Sequence, residues 1–379
     1  MAAVMSRPGE GEPGHVRSGP VAGGKLSPTA HREVERKFRV DPDFEIPTLA
    51  GVVPGVSATR PGKPIEMVAE YHDTPDLRLI RWGATLRRRV GGPDEGWHLK
   101  LPVDGAGAGV RDELAVPLAA GPTGEVPDAL ADIVVALVRE APLVHVSTVR
   151  TRRSPSSLLG EGGAEVAELV DDDVEVVEGE KVLRAYRELE VEARGSRTAL
   201  LDAVAARLVE HGAVPGTEGK AASALGERAR GEPDVPVPPQ PSRSDTVGEA
   251  VRCALARNAR RFLLQDVRVR RDLPDSVHQM RVAARRLRST LRTFSPLLEE
   301  EWAARLRSEL STSAEALGAV RDTEVHLARL AEHAATLPDP DRDRAVAAIE
   351  AWLNGRLTEA RASALAELRA PRHRRLLVD

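Results

Sequence analysis

Charged residues return at every second position in one short segment after another, and that periodicity restricts the fold more than anything else in the chain. In Glu33-Val34-Glu35-Arg36-Lys37-Phe38 an extended backbone puts Glu33, Glu35 and Lys37 on one face and Val34, Arg36 and Phe38 on the other. Two carboxylates and an ammonium in a row are expensive to bury unless ions or partners compensate them. The spacing recurs as Arg87 and Arg89, as His98 and Lys100, as Arg111 and Glu113, and as Arg150 and Arg152. It recurs again as Glu188, Glu190 and Glu192, and the run from Glu168 to Val174 adds Glu168 and Asp172 if it is extended.

Any one of these segments would pass for an antiparallel strand with a wet face. Their repetition within one region predicts a closed antiparallel barrel, in which inward and outward residues alternate along every strand and the charged faces meet in a single lumen. Such a lumen holds both signs. Carboxylates suit hard divalent cations, which take oxygen ligands and share substrate phosphates. Arginine and lysine suit a polyanion, arginine through bidentate contacts. Together they point to a site for a metal–phosphate chain complex.

Glu33-x-Glu35-x-Lys37 resembles the ExExK signature of the CYTH domains, the triphosphate tunnel metalloenzymes. Tyr71-x-Asp73-Thr74, Leu86-Arg-x-Arg89, Trp97-x-Leu-Lys100, Arg111-x-Glu113, the Arg150/Arg152 strand, the Asp-rich strand, Glu188-x-Glu190 and Lys220 follow in the family's order. The resemblance implies an eight-stranded antiparallel tunnel over roughly 30–230. It implies Glu33, Glu35, Asp172, Glu188 and Glu190 as metal ligands, for Mg²⁺ or Mn²⁺. It implies Lys37, Arg87, Arg89, Lys100, Arg111, Arg150, Arg152 and Lys220 as phosphate binders, with Glu33, Glu35, Lys37, Glu188 and Glu190 at the catalytic centre. His98 stands where the family often has a small hydroxyl residue, and Gly219 precedes Lys220 where a serine is common.

Beyond a Pro-rich stretch within 231–244, which reads as a stiff linker, the periodicity becomes helical. Asp245-Thr246-Val-Gly-Glu249 reads as a helix start with a capping box. From about Asp275 to Ser295, His278, Arg281, Arg285, Arg288 and Arg292 form a cationic stripe beside an apolar one. Between Ala250 and Arg292 there are twelve arginines and three acids, a repulsion that an anionic partner would relieve. Val277-His278-Gln-Met-Arg281-Val-x-x-Arg285-Arg286-Leu-Arg288 and Leu317-Gly318-x-Val320-Arg321-Asp322 resemble the signatures of the CHAD domain. The resemblance implies an all-α helical bundle over 245–379 that binds inorganic polyphosphate through His278, Arg281, Arg285, Arg288, Arg292 and Arg321. CHAD domains hold two related halves; room for one here, and an ending at Arg372-His373-Arg374-Arg375 that reads as a helix start, lead to the expectation of an incomplete bundle.

Composition bounds the rest. The chain has 379 residues, a net charge of −4 and a single cysteine, Cys253, so neither a disulfide framework nor a cysteine-rich zinc site is expected. Residues 1–29 read as a disordered tail. With no long apolar run, a cytoplasmic chain without membrane contact is expected, with association with polyphosphate granules as a further expectation. Aromatics are 3% of residues, which argues against base stacking, and nucleic acid is not an expected partner. The expected function is metal-dependent hydrolysis of tripolyphosphate in the tunnel, with a polyphosphate-binding helical domain. The alternatives are a polyphosphate-binding or sensing protein with little catalysis, and a thiamine-triphosphatase-like or adenylyl-cyclase-like activity on an organic triphosphate.

Overall fold

The computed structural model describes residues 28–379 apart from 104, 107, 108, 123, 196, 217 and 340; the expected tail lies outside the described residues up to 27. The strands are β1 (Thr29–Val40), β2 (Ala58–Pro61), β3 (Ile65–Asp73), β4 (Thr85–Val90), β5 (Gly96–Pro102), β6 (Val110–Val116), β7 (Val144–Leu159), β8 (Glu165–Glu178), β9 (Lys181–Ala193) and β10 (Val214–Gly216). Among the described residues, eight of them close into an antiparallel barrel in the order β1-β6-β5-β4-β3-β7-β8-β9. Strand β1 makes the closure: its first half pairs with β6 and its second half with β9. Closure leaves no edge along the ring, and β2 and β10 attach outside it, on β7 and β1.

Helices α1 (Arg78–Arg81), α2 (Asp128–Val138), α3 (Thr198–Glu210) and α4 (Lys220–Leu225) decorate the barrel. The period-2 pattern has two apolar consequences outside the lumen. Phe38, Leu169, Leu189 and Val191, on the outer faces of β1, β8 and β9, pack on Leu201, Val204 and Leu208 of α3. Leu86, Leu99, Leu101, Leu114 and Val116, on the outer faces of β4, β5 and β6, pack on α2. Helix α2 is apolar nearly all round because it is covered on both sides. Its second side lies against the helical domain.

That domain comprises α5 (Val247–Arg270), α6 (Ser276–Thr293), α7 (Glu300–Ala334), α8 (Asp341–Arg369) and α9 (Pro371–Val378). Thr246 caps α5 in a reciprocal capping box with Glu249. Its core, including Phe262, Val267, Met280, Leu291 and Leu317, is continuous with the α2 core of the barrel. At its centre Asp266 accepts from His373 Nε2 at 2.8 Å and from Arg270 Nε at 2.5 Å. The Pro-rich segment is pinned rather than free: Asp234 accepts from Trp82 Nε1 at 2.9 Å and pairs with Arg139, and Arg260 donates to Val235 O at 2.7 Å. Among the described residues no helix is long and apolar enough to cross a membrane.

Candidate active site

The lumen is part of a cavity of about 1030 Å³ that continues past β10 to α3. Glu33, Glu35 and Lys37 enter it from β1, Arg87 and Arg89 from β4, Lys100 from β5, Arg111 and Glu113 from β6, Glu190 from β9 and Lys220 from the start of α4. Strand alternation and register bring them together on neighbouring strands: Glu33 stands beside Arg111, Lys100 beside Glu113, and Lys37 beside Glu190.

Charge is sorted along the tunnel. Toward α4, Lys220 Nζ sits among three carboxylates, 2.8 Å from Asp172 Oδ2, 2.5 Å from Glu188 Oε1 and 2.9 Å from Glu190 Oε1. Lys37 bridges Glu190 and Glu35, the latter at 3.0 Å. Burial works against these ammoniums, yet Glu190 and its acidic neighbours hold Lys37 and Lys220 well above the ordinary lysine range. The two glutamates of β9 are driven apart. Burial pushes Glu188 up and Lys220 only partly offsets it; for Glu190 burial is outweighed by Lys220, Lys37 and Arg153, which hold it well below the carboxylate range.

Elsewhere in the lumen Lys100 Nζ donates to both oxygens of Glu33, at 2.7 and 2.6 Å. Glu113 lies 3.0 Å from His98 Nδ1 and 3.6 Å from Arg87, and despite burial His98, Lys100 and Arg87 hold its carboxyl far below the usual range. Burial and the neighbouring Arg87 both disfavour the charge on Arg89. Arg87 Nε and Arg89 Nε are buried and find no acceptor among the protein's own groups. Buried donors of this kind carry the full desolvation penalty until an acceptor arrives.

Asp172, Glu188 and Glu190 offer carboxylate oxygens within 4.8 Å of one another. This all-oxygen donor set suits a hard divalent ion, and the Lys220 ammonium held among the three shows that the point accepts a cation. Three of the five expected metal ligands therefore converge. Glu33 and Glu35 face the same lumen but are each closed onto a lysine. In the acidic run the register resolves cleanly: Asp172 points inward, while Asp171 points outward to Arg187.

Arg150 and Arg152 are a correction. Both lie on the outer face of β7; Arg150 donates to Gly179 O and Arg152 sits 3.7 Å from exposed Glu66. The inward residues are Val149, Thr151 and Arg153, and Arg153 donates to Asp172 at 2.9 and 2.7 Å and to Glu190 at 3.0 Å. A shift of one residue exchanges the faces of a whole strand. The assumption that charge always marks the inside fails here because the α4 end is filled by an apolar cluster of Ala69, Tyr71, Val149, Val174, Val176 and Ala221. The adjacency of Arg152 and Arg153 was the available signal, since one of any such pair must face in. Asp73, from the Tyr71-x-Asp73-Thr74 motif, is structural: it accepts from the N–H groups of Thr74, Leu79 and Ile80 and ties the turn into α1.

On the helical domain Arg285, Arg288 and Arg292 are exposed along α6, whereas His278 and Arg281 are half-buried. Arg281 donates to Gly318 O at 3.2 Å, which joins the two helical motifs, and Arg321 lies 3.5 Å from Glu324.

A closed antiparallel tunnel lined by arginines and lysines around a carboxylate cluster, joined to a basic helical bundle, defines a two-domain protein class. Residues 31–218 match the CYTH domain and residues 253–379 match the CHAD domain, so the chain carries a CYTH domain followed by a CHAD domain. It is 37% identical over 315 residues to proteins of two Mycobacterium tuberculosis strains, H37Rv and CDC 1551, both described as uncharacterized. The match covers 79% of this chain and 59% of those proteins, so the chain spans about three fifths of the length of the curated relatives it matches. Among solved structures, a Bacillus halodurans protein provisionally assigned as an adenylate cyclase aligns at 21% identity over 52% of this chain and 99% of its own, with a TM-score of 0.36. A Hippeastrum adenylyl cyclase candidate described as having a dominant triphosphatase activity aligns at 16% identity over 51% and 94%, with a TM-score of 0.30. The fold assignment rests on the strand pairing and the family match.

Proposed function

We propose that the tunnel hydrolyses the terminal anhydride of inorganic tripolyphosphate with a divalent ion, Mg²⁺ or Mn²⁺, and that the helical domain binds longer polyphosphate. The observation that carries this reading is the pair of buried, acceptor-less guanidinium N–H groups on Arg87 and Arg89, flanked by Lys37, Lys100, Arg111 and Arg153 around one cavity. A chain of phosphoryl groups supplies closely spaced acceptors for such a set. An inorganic chain is favoured over a nucleotide because the aromatic residues bordering the cavity are Phe38, which belongs to the outer core, and Tyr71. Trp82 and Trp97 are buried in the core outside the barrel and offer no stacking surface.

In this reaction water adds to the terminal phosphorus, the bridging P–O bond breaks, and orthophosphate and pyrophosphate leave. Arg87, Arg89, Lys100, Arg111 and Arg153 hold the chain and offset the charge that develops on its oxygens. Lys37 and Lys220 orient the carboxylates of Glu35, Glu188, Glu190 and Asp172. The ion, held by Asp172, Glu188 and Glu190, would supply charge neutralisation at the phosphoryl oxygens.

The test is phosphate release from tripolyphosphate, ATP and thiamine triphosphate, with Mg²⁺, Mn²⁺ and chelator. Metal-dependent release fastest on tripolyphosphate, and lost by about a hundredfold in Glu190→Gln, is expected. Full turnover by Glu190→Gln, or a preference for an organic triphosphate, would overturn the assignment.

A further inference from the structure

The wall of the tunnel that carries Arg87, Arg89, Lys100, Arg111 and Glu113 is the wall backed by the helical domain. Strands β4, β5 and β6 send these groups inward and send Leu86, Leu99, Leu101, Leu114 and Val116 outward, into the core shared by α2 and α5. The acidic wall of β1, β8 and β9 is backed by α3 instead. Anion-binding geometry is therefore built on the interface between the two domains.

Two contacts at that interface reach the immediate neighbours of lumen residues. Arg271, just beyond α5 and 7% exposed, donates from Nη2 to Asp112 Oδ2 at 2.6 Å. Asp112 is the outward residue between inward Arg111 and Glu113, and its other oxygen accepts from Arg32 Nε at 2.7 Å. Arg111 Nη1 in turn donates to Gly83 O at 2.8 Å. Trp82, the residue before Gly83, lies under the Arg260 guanidinium at 4.3 Å. Arg111 is thus steadied through its own strand by Arg271 and through its hydrogen-bond acceptor by Arg260, both from the helical domain.

We infer that Arg271 is a positioning residue for the tunnel, which through Asp112 fixes the segment of β6 that aims Arg111 and Glu113 at the phosphate chain. The helical domain is then a working part of the tunnel's anion wall, not a separable appendage. This rests on the phosphate-binding reading of the lumen. It also makes the coupling reciprocal: an anion on the helical domain that shifts α5 alters tunnel affinity, and a chain in the tunnel alters affinity outside.

The experiment is a double-mutant cycle in the full chain with Arg271→Gln, Arg111→Gln and the double variant. Binding of a non-hydrolysable imido analogue of tripolyphosphate is titrated with Mg²⁺ present, alongside KM and kcat for tripolyphosphate. Arg271→Gln is expected to weaken analogue binding by roughly threefold to tenfold in the parent chain and to have almost no further effect once Arg111 is replaced. KM is expected to rise with that loss while kcat changes less than about twofold. Unchanged binding by Arg271→Gln, or equal losses in both backgrounds, overturns the positioning role and leaves the tunnel reading standing. Failure of the parent chain to bind the analogue sinks both. If Arg271→Gln does not fold, Arg271→Lys, which keeps the charge but loses the planar fork, carries the same cycle with the same criteria.

Discussion

Lys220 Nζ lies 2.5 Å from Glu188 Oε1, and the same ammonium reaches Asp172 and Glu190. One buried cation thus answers three buried carboxylates, on a helix that closes the tunnel. Removing it leaves Glu188 without a close cation beside Asp172 and Glu190, which keep Arg153 and Lys37, and a buried charge that loses its partner costs about 3–5 kcal/mol. Lys220→Met is therefore expected to lower the melting temperature in chelator and to recover more of it with Mg²⁺ than the parent chain gains, since an ion that binds only the folded state stabilises it. Equal Mg²⁺ shifts in both proteins would show that the three carboxylates are not the ion site.

Arg153 and Arg152 are neighbours in sequence and opposites in placement. Charge-assisted hydrogen bonds contribute about 1.5–3 kcal/mol each, so Arg153→Gln should weaken tripolyphosphate binding by roughly tenfold or more. Arg152→Gln, which removes only an exposed pair with Glu66, should change it less than about twofold. Calorimetric titration of the two variants decides, and the reverse order would put the inward face back on Arg150 and Arg152.

Asp266 is fully buried, and although burial opposes its charge, Arg270 and His373 hold its pKa below the ordinary value of 3.8. A carboxyl depressed on folding contributes stability that is present above its unfolded pKa and lost as pH falls through the folded one. Asp266→Asn should therefore cost about 3–5 kcal/mol at neutral pH, and its deficit relative to the parent chain should shrink only below about pH 4. Denaturant unfolding from pH 3 to 7 measures this. A deficit independent of pH across that window would mean that the charge of Asp266 is not what matters.

The α6 stripe calls for a salt-resolved measurement. Replacing Arg285, Arg288 and Arg292 together with Gln should weaken long-chain polyphosphate binding and reduce the slope of log Kd against log salt, because each lost phosphate contact releases fewer counterions. An unchanged slope would move the polyphosphate surface elsewhere on the protein.

Much of this protein was legible in its sequence because strand geometry turns spacing into facing. Glu33, Glu35, Lys37, Arg87, Arg89, Lys100, Arg111 and Glu190 share one lumen for the same reason that they sit two apart within their segments. The capping box at Thr246 is local chemistry and needed no tertiary context. The helical domain announced itself by the change of period after the Pro-rich segment.

Other features depended on what packs against what. Whether Arg152 or Arg153 faces inward is decided by the apolar cluster at the α4 end of the barrel, to which β7 gives Val149, and the charges of β7 alone do not encode that choice. The fate of Asp234 was equally hidden: a residue in a stretch that composition reads as linker becomes the acceptor that pins it to Trp82 and Arg139. The contact of Arg271 with Asp112 spans 159 positions, and no local pattern records it. Periodicity along the chain determines which side chains share a face; only closure of the barrel and the docking of α2 against α5 decide what each face meets.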